Sequence, residues 1–185
     1  MVDDPRTDLE KQLPDHLGGH CGDSHVDPIV LDYLISHYYD IHTMLDIGCG
    51  PGAMIDLARE RKLIAWGIDG DYTIEHDYII YHDYTLGPYP VGTFDLIWCV
   101  EFVEHIEVQY QDHWLETMDS GRVLFLTAAY PGQGGYHHVN EQPIVYWIEL
   151  LTAHRWALDQ EATDWVRKHG ELLFSRMTGM VFVRG

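Results

Sequence analysis

The stretch MLDIGCGPGA at 44–53 constrains the fold more than any other part of the chain. An apolar run of strand length enters a glycine-rich turn, and a helical pattern follows at once. Gly48, Gly50 and Gly52 permit positive φ and let a ligand come against the backbone, which places a binding crevice at the carboxyl end of a strand. Further short apolar runs at 63–68, 79–81, 94–100 and 123–129 read as strands buried on both faces. Helical stretches at 53–61, 108–118 and 143–154 fall between several of them. That alternation predicts an α/β, doubly wound, Rossmann-like sheet. Only about nine residues separate Ile68 from Asp77, short for a helical crossover, so the second crossover is predicted to be a stub. A helix over 26–38 precedes the first strand, with Asp27 and Pro28 suited to its first turn. Strand-like runs at 172–176 and 180–184, separated by Met177, Thr178 and Gly179, predict an antiparallel C-terminal hairpin. The result is a seven-stranded, mostly parallel sheet. Residues 1–25, polar and rich in Asp, Pro and Gly, read as a flexible arm or flap ahead of a domain at 26–185, with 23–27 as its hinge.

The length, 185 residues, suits one domain with a full core. Thirty acidic residues against 11 basic ones leave a formal charge of -19. Such a surface repels phosphate, which disfavours nucleic acid and anionic membranes and favours a neutral or cationic small-molecule partner. A protein partner or a homodimer remains compatible with the pattern. Three cysteines without a CxxC pair, no apolar leader and no bilayer-length apolar run predict a cytoplasmic protein.

What the glycine turn holds depends on its neighbours. Gly48, Gly50 and Ala53 satisfy the relaxed G-x-G-x-x-G/A dinucleotide pattern, so a nicotinamide-dependent oxidoreductase must be weighed. Two residues count against a pyrophosphate. Asp46 sets a carboxylate just before the turn, and Pro51 removes an N–H that would cradle phosphate. A ligand carrying an ammonium and a sulfonium finds the same carboxylate attractive. Asp69 lies 19 residues after Gly50 at the end of the next strand, where an acid accepts hydrogen bonds from ribose hydroxyls. Cys49 has no basic neighbour to activate it as a nucleophile.

Four spaced landmarks, LDIGCGPG at 45–52, GIDGD at 67–71, HDYT at 82–85 and FDLIWCVEFVEHI at 94–106, resemble the class I S-adenosylmethionine-dependent methyltransferases. The resemblance covers most of 26–185 and implies S-adenosylmethionine as cofactor. By that resemblance, Asp46 with Gly48, Cys49, Gly50 and Gly52 holds the methionine part of the cofactor. Asp69, beside Gly70, takes the ribose, and His82 and Asp83 lie against the adenine. Cys99, Val100, Glu101 and Phe102 line the sulfonium. A second reading keeps the cofactor without the transfer, as a regulatory or cofactor-degrading protein.

Methyl transfer asks the protein to position the acceptor and remove its proton. His138 and His137, after the GQGG turn at 132–135, are the first candidates for a general base on a hydroxyl, and His105 is the next. The segment 136–148 is similar to one in small bacterial and phage methyltransferases acting on small molecules or sugars. Tyr130, Tyr136, Tyr146 and Trp147 are candidates for an aromatic wall around such an acceptor. His16, His20, Cys21 and His25 form H-x3-H-C-x3-H, which matches no standard zinc spacing, so no metal is expected and the arm reads as a flap over the cofactor.

Overall fold

The computed structural model describes residues 5–185, so the first four residues of the expected arm lie outside it. Its elements in chain order are α1 (Pro28–His37), β1 (Thr43–Ile47), α2 (Ala53–Glu60), β2 (Ile64–Asp69), β3 (Ile79–Tyr81) and β4 (Phe94–Cys99). There follow α3 (Gln111–Met118), β5 (Gly121–Leu126), α4 (Ile144–Ala153), β6 (Trp156–Leu158), α5 (Gln160–His169), α6 (Leu173–Thr178) and β7 (Met180–Arg184). The strands form one seven-stranded sheet in the order β3-β2-β1-β4-β5-β7-β6. The pairs from β3 through β5 are parallel, and β7 runs antiparallel to both β5 and β6.

Strand alternation sorts the core into two layers. Met44, Leu96, Trp98, Phe125 and Val181 point to the face covered by α1, α2 and α5. Leu45, Ile97, Cys99, Leu126 and Phe182 point to the face covered by α3 and α4. Burial on both faces is why these strands read as continuous apolar runs. Where the spacing predicts a stub of a crossover, the chain goes further and forms no helix between β2 and β3. Among the described residues no helix is long and apolar enough to cross a membrane.

The C-terminal hairpin is corrected. Residues 173–178 form α6, and the antiparallel partners of β7 are β5 and β6, the nearer of which in sequence, β6, lies ahead of two helices rather than across a tight turn. A short apolar run fits either period. Here the buried positions are Ser175 and Thr178, three apart, while Leu173 and Met177 face solvent, which is a helical spacing.

Asp27 fastens the start of the domain to its end. It caps α1 by accepting from Val30 N at 3.1 Å, and its other oxygen accepts from Glu171 N and Leu172 N at 3.0 and 3.1 Å. The side chain is fully buried. Asp27→Ala is expected to cost about 2 kcal/mol in urea denaturation, the upper end for a lost cap, because amides of the distant turn lose their acceptor as well. A loss below about 0.5 kcal/mol, the range of an ordinary surface change, would remove Asp27 from this role.

Candidate functional site

The crevice opens at the carboxyl ends of β1, β2 and β4, where the strand order reverses. It is a cavity of about 290 Å³. Gly48 has φ +74, and a Cβ there would lie 2.4 Å from the Phe102 ring, so glycine is required for the turn to close on that ring. Gly50 N donates to Asp69 Oδ2 at 2.7 Å, and Asp71 N donates to Asp69 Oδ1 at 2.8 Å. Two backbone amides thus aim the Asp69 carboxylate at the glycine turn. Burial pushes the Asp69 pKa up, against the pull of these amides and of His20. Asp46 is buried beside it, and burial, then the charge of Asp69, pushes its carboxyl well above the usual range. This corner is short of positive charge.

Asp83 accepts from Thr85 N at 2.8 Å, and His16 Nε2 lies 2.8 Å from its other oxygen. Burial pushes Asp83 up, but the bonds from His16 and Thr85 outweigh it and leave the carboxyl below its ordinary value. His82 donates from Nε2 to Gly87 O at 2.8 Å, and its ring meets Tyr84 edge-on.

At the far end Glu101 stands at φ +50, an uncommon conformation for a side-chain-bearing residue. Its carboxylate accepts from Thr127 Oγ1 at 2.9 Å and Gln133 Nε2 at 2.8 Å. Next come Glu104 and His105, in a 3-10 turn at Val103–His105. The His105 and His138 rings meet edge to face, with centroids 4.8 Å apart. His138 Nδ1 lies 3.1 Å from Glu141 Oε1, and Glu141 also accepts from Gly132 N and Gly134 N, which shapes the loop. His105 is pushed down to about 3 by burial first, then by His138 and His137.

The arm lies across this crevice. Glu10, in a 3-10 turn at Glu10–Gln12, is buried and accepts from Thr7 N, Gly19 N and Cys21 N. Leu17 packs on Gly70, where a Cβ would lie 2.4 Å from it, and His20 Nε2 lies 2.9 Å from Asp71. Tyr136 donates its hydroxyl to Asp15 O at 3.0 Å. The arm therefore touches both walls.

The expected residues Asp46, Gly48, Cys49, Gly50, Asp69, Gly70, His82, Asp83, Val100, Glu101, Phe102, His105 and His138 all line the cavity. Gly52, Cys99 and His137 do not. Gly52 faces the ring of His76, where a Cβ would lie 3.0 Å away. Cys99 points into the layer under α3 and α4, while its neighbours Trp98 and Val100 face the cavity. His137, at φ +51, follows Tyr136 in the loop and falls outside the lining. The aromatic wall is reduced to Tyr136, since Trp147 is buried in the core, Tyr146 donates to Gln111 and Tyr130 lies outside the cavity. The arm histidines diverge, with His16 on Asp83, His20 on Asp71 and His25 edge-on to Phe174. Sequence reasoning missed Met54, Trp98, Leu17 and Phe174 as lining residues. Alternation along β4 sets Trp98 and Cys99 on opposite faces without showing which face meets the cavity, and nothing local signals Phe174.

No protein-family model and no curated protein matches the chain. Solved structures do match its fold. A TehB-like S-adenosylmethionine-dependent methyltransferase from Corynebacterium glutamicum superposes with a TM-score of 0.60 at 17% identity, covering 85% of this chain and 86% of that one. Magnesium protoporphyrin IX methyltransferase from Synechocystis, with S-adenosylmethionine bound, gives 0.56 at 15% identity over 85% and 76%. An O-methyltransferase from a polyketide synthase of Brevibacillus brevis, with S-adenosylhomocysteine, gives 0.54 at 15% over 77% and 66%. The chain has the fold of the S-adenosylmethionine-dependent methyltransferases.

Proposed function

We propose that the protein transfers a methyl group from S-adenosylmethionine to an oxygen of a small-molecule or sugar acceptor. The observation that carries this reading is the gathering of Asp46, the Gly48–Gly50 amides, Asp69 and Asp83 along one cavity wall, with Glu101, His105 and His138 at its far end. The fit to the cofactor rests on the donor set. A buried carboxyl with no cation beside it among the described residues suits an ammonium or sulfonium, Asp69 retains lone pairs for ribose hydroxyls, and Asp83 retains one for an adenine amine. The bound cofactor supplies a methyl group already activated by its positive sulfur. The chain's part is to orient the acceptor and keep water out, and in this reading residues 5–25 are a flap that opens to admit the cofactor. The formal charge of -19 favours a neutral or cationic acceptor. His105, held neutral, is too weak a base for a hydroxyl near neutral pH.

Incubating the protein with methyl-labelled cofactor and a metabolite mixture, followed by mass spectrometry, tests the reading. A labelled acceptor is expected. Cofactor binding with no labelled product favours a binding or cofactor-degrading role, and nicotinamide-cofactor binding in its place would overturn the reading.

Asp46 makes binding pH-dependent. A cation seated beside it favours its charged form, so binding expels a proton from the carboxyl whose pKa is raised. Cofactor affinity is therefore expected to rise with pH, by up to about tenfold per unit, and to level off above that raised pKa. Calorimetry in buffers of different ionisation enthalpy reads the proton directly. Asp46→Asn should flatten the profile, and an unchanged slope in that variant assigns the proton elsewhere.

A further inference from the structure

We propose that Glu104, His105 and His138 bind one divalent transition-metal cation at the acceptor end of the cavity, where a hydroxyl of the acceptor completes its coordination. The proposal deepens the methyltransferase reading and rests on it for the acceptor. One ligand atom from each of the three residues lies within 4.8 Å of the others. That is near enough for side-chain adjustment to reach bonds of about 2.0–2.2 Å.

The second observation is what these groups lack. Glu104 is fully buried, and among the described residues neither of its carboxylate oxygens has a well-formed hydrogen bond, the Ala129 amide and the Glu101 carboxyl being close polar neighbours. A buried carboxylate without such partners is strongly unfavourable, and the Glu101 carboxylate beside it makes it more so. His105 Nδ1 is also buried without a partner. His138 carries the outer support such a ligand uses, a carboxylate on its other nitrogen, supplied by Glu141 at 3.1 Å. Val139 N and Asn140 N both donate to Glu104 O at 3.0 Å, which locks the His138 loop to the turn that carries the other two ligands. Glu101 adds negative charge, but Thr127 and Gln133 already occupy its oxygens, so it is a neighbour rather than a ligand.

A second cluster of the same size makes the contrast. Glu10, His20 and Asp71 also converge, yet three backbone amides satisfy Glu10, Thr73 satisfies Asp71, and His20 bonds to Asp71 and accepts from Gly22 N. That cluster needs no cation to complete it.

Two imidazoles and one carboxylate suit Mn²⁺, Fe²⁺, Co²⁺ or Zn²⁺ and leave coordination positions open. A hydroxyl bound there loses its proton to solvent base near neutral pH. Its oxygen lone pair forms the new C–O bond, and the methyl–sulfur bond breaks with its pair staying on sulfur, which becomes a neutral thioether.

The test uses the untagged full chain, stripped with a chelator and titrated with Mn²⁺ alone. Equilibrium dialysis counts the ion, and electron paramagnetic resonance follows loss of the free-ion signal. One Mn²⁺ per chain is expected, with affinity reduced about 10–100-fold in Glu141→Gln and at least that much in Glu104→Gln and His138→Ala. His20→Ala should bind the ion as the unaltered protein does. No stoichiometric ion, or an affinity in Glu104→Gln, His138→Ala and Glu141→Gln equal to that of the unaltered protein, overturns the site. Should Glu104→Gln fail to fold, the outer Glu141→Gln still decides. Binding of S-adenosylhomocysteine to the same samples separates the two claims: nucleoside bound without the ion overturns only the metal site, and ion bound without the nucleoside overturns only the methyltransferase reading.

Discussion

Replacing Asp69 by alanine is expected to weaken S-adenosylhomocysteine binding by about 100–1000-fold, or about 2.7–4.1 kcal/mol. The carboxylate acts twice. It receives Gly50 N and Asp71 N at 2.7 and 2.8 Å, which holds the glycine turn in shape, and its remaining lone pairs face the cavity. Hydrogen bonds to a charged group contribute about 1.5–3 kcal/mol each, so losing the two ribose contacts proposed for it accounts for the range before any loosening of the turn. Asp69→Asn keeps the shape and one acceptor oxygen, and should fall between alanine and the unaltered protein. Calorimetry reads both variants. If the alanine variant binds within about twofold of the original while circular dichroism shows it folded, the ribose seat lies elsewhere.

The same carboxylate shows why the lining of the proposed cofactor wall was legible in sequence. Gly48, Gly50 and Asp69 are fixed by local rules: a strand must end, a turn must take positive φ, and the next parallel strand must finish level with the first. Register does the rest, setting Ile47 beside Ile68 so that residues far apart in the chain arrive at one edge. Asp83 follows by the same logic at the end of β3, whose Tyr81 pairs with Asp69.

Legibility fails where a side chain's direction depends on tertiary packing. Cys99 and Trp98 are adjacent, but period-two alternation sends them to opposite faces, and only the register shows which face carries the cavity. The run after Gly170 fits a strand or a helix, and burial of Ser175 and Thr178 decides for the helix. β6 is three residues long, too short for a periodic signal. The arm has no period at all. Glu10 gathers amides within the arm itself, and the arm's placement follows from Leu17 and His20 finding Gly70 and Asp71, contacts that bring distant chain segments together. Glu104 was visible as an acid after β4, but its complete burial depends on the 3-10 turn, which points it inward.

His138 carries the largest expected effect. His138→Ala should lower kcat by about 10²–10⁴-fold, the range for losing a group that acts on the acceptor's proton. Affinity for S-adenosylhomocysteine should stay within about twofold, because the contacts proposed for the nucleoside are made by other lining residues, Asp69 and Asp83. His137→Ala is the matched control. The two histidines are neighbours in sequence, yet only His138 lines the cavity, so His137→Ala should leave kcat within about twofold. The pair also discriminates between chemistries for His138. If it serves as a free base, added Mn²⁺ restores nothing in His138→Ala, since the missing proton acceptor has no substitute. If it serves as a ligand, Glu104 and His105 still offer two of the three donors, and excess Mn²⁺ should recover part of the lost rate. Equal losses in the two alanine variants would show that the loop's fold, rather than the His138 ring, was what mattered.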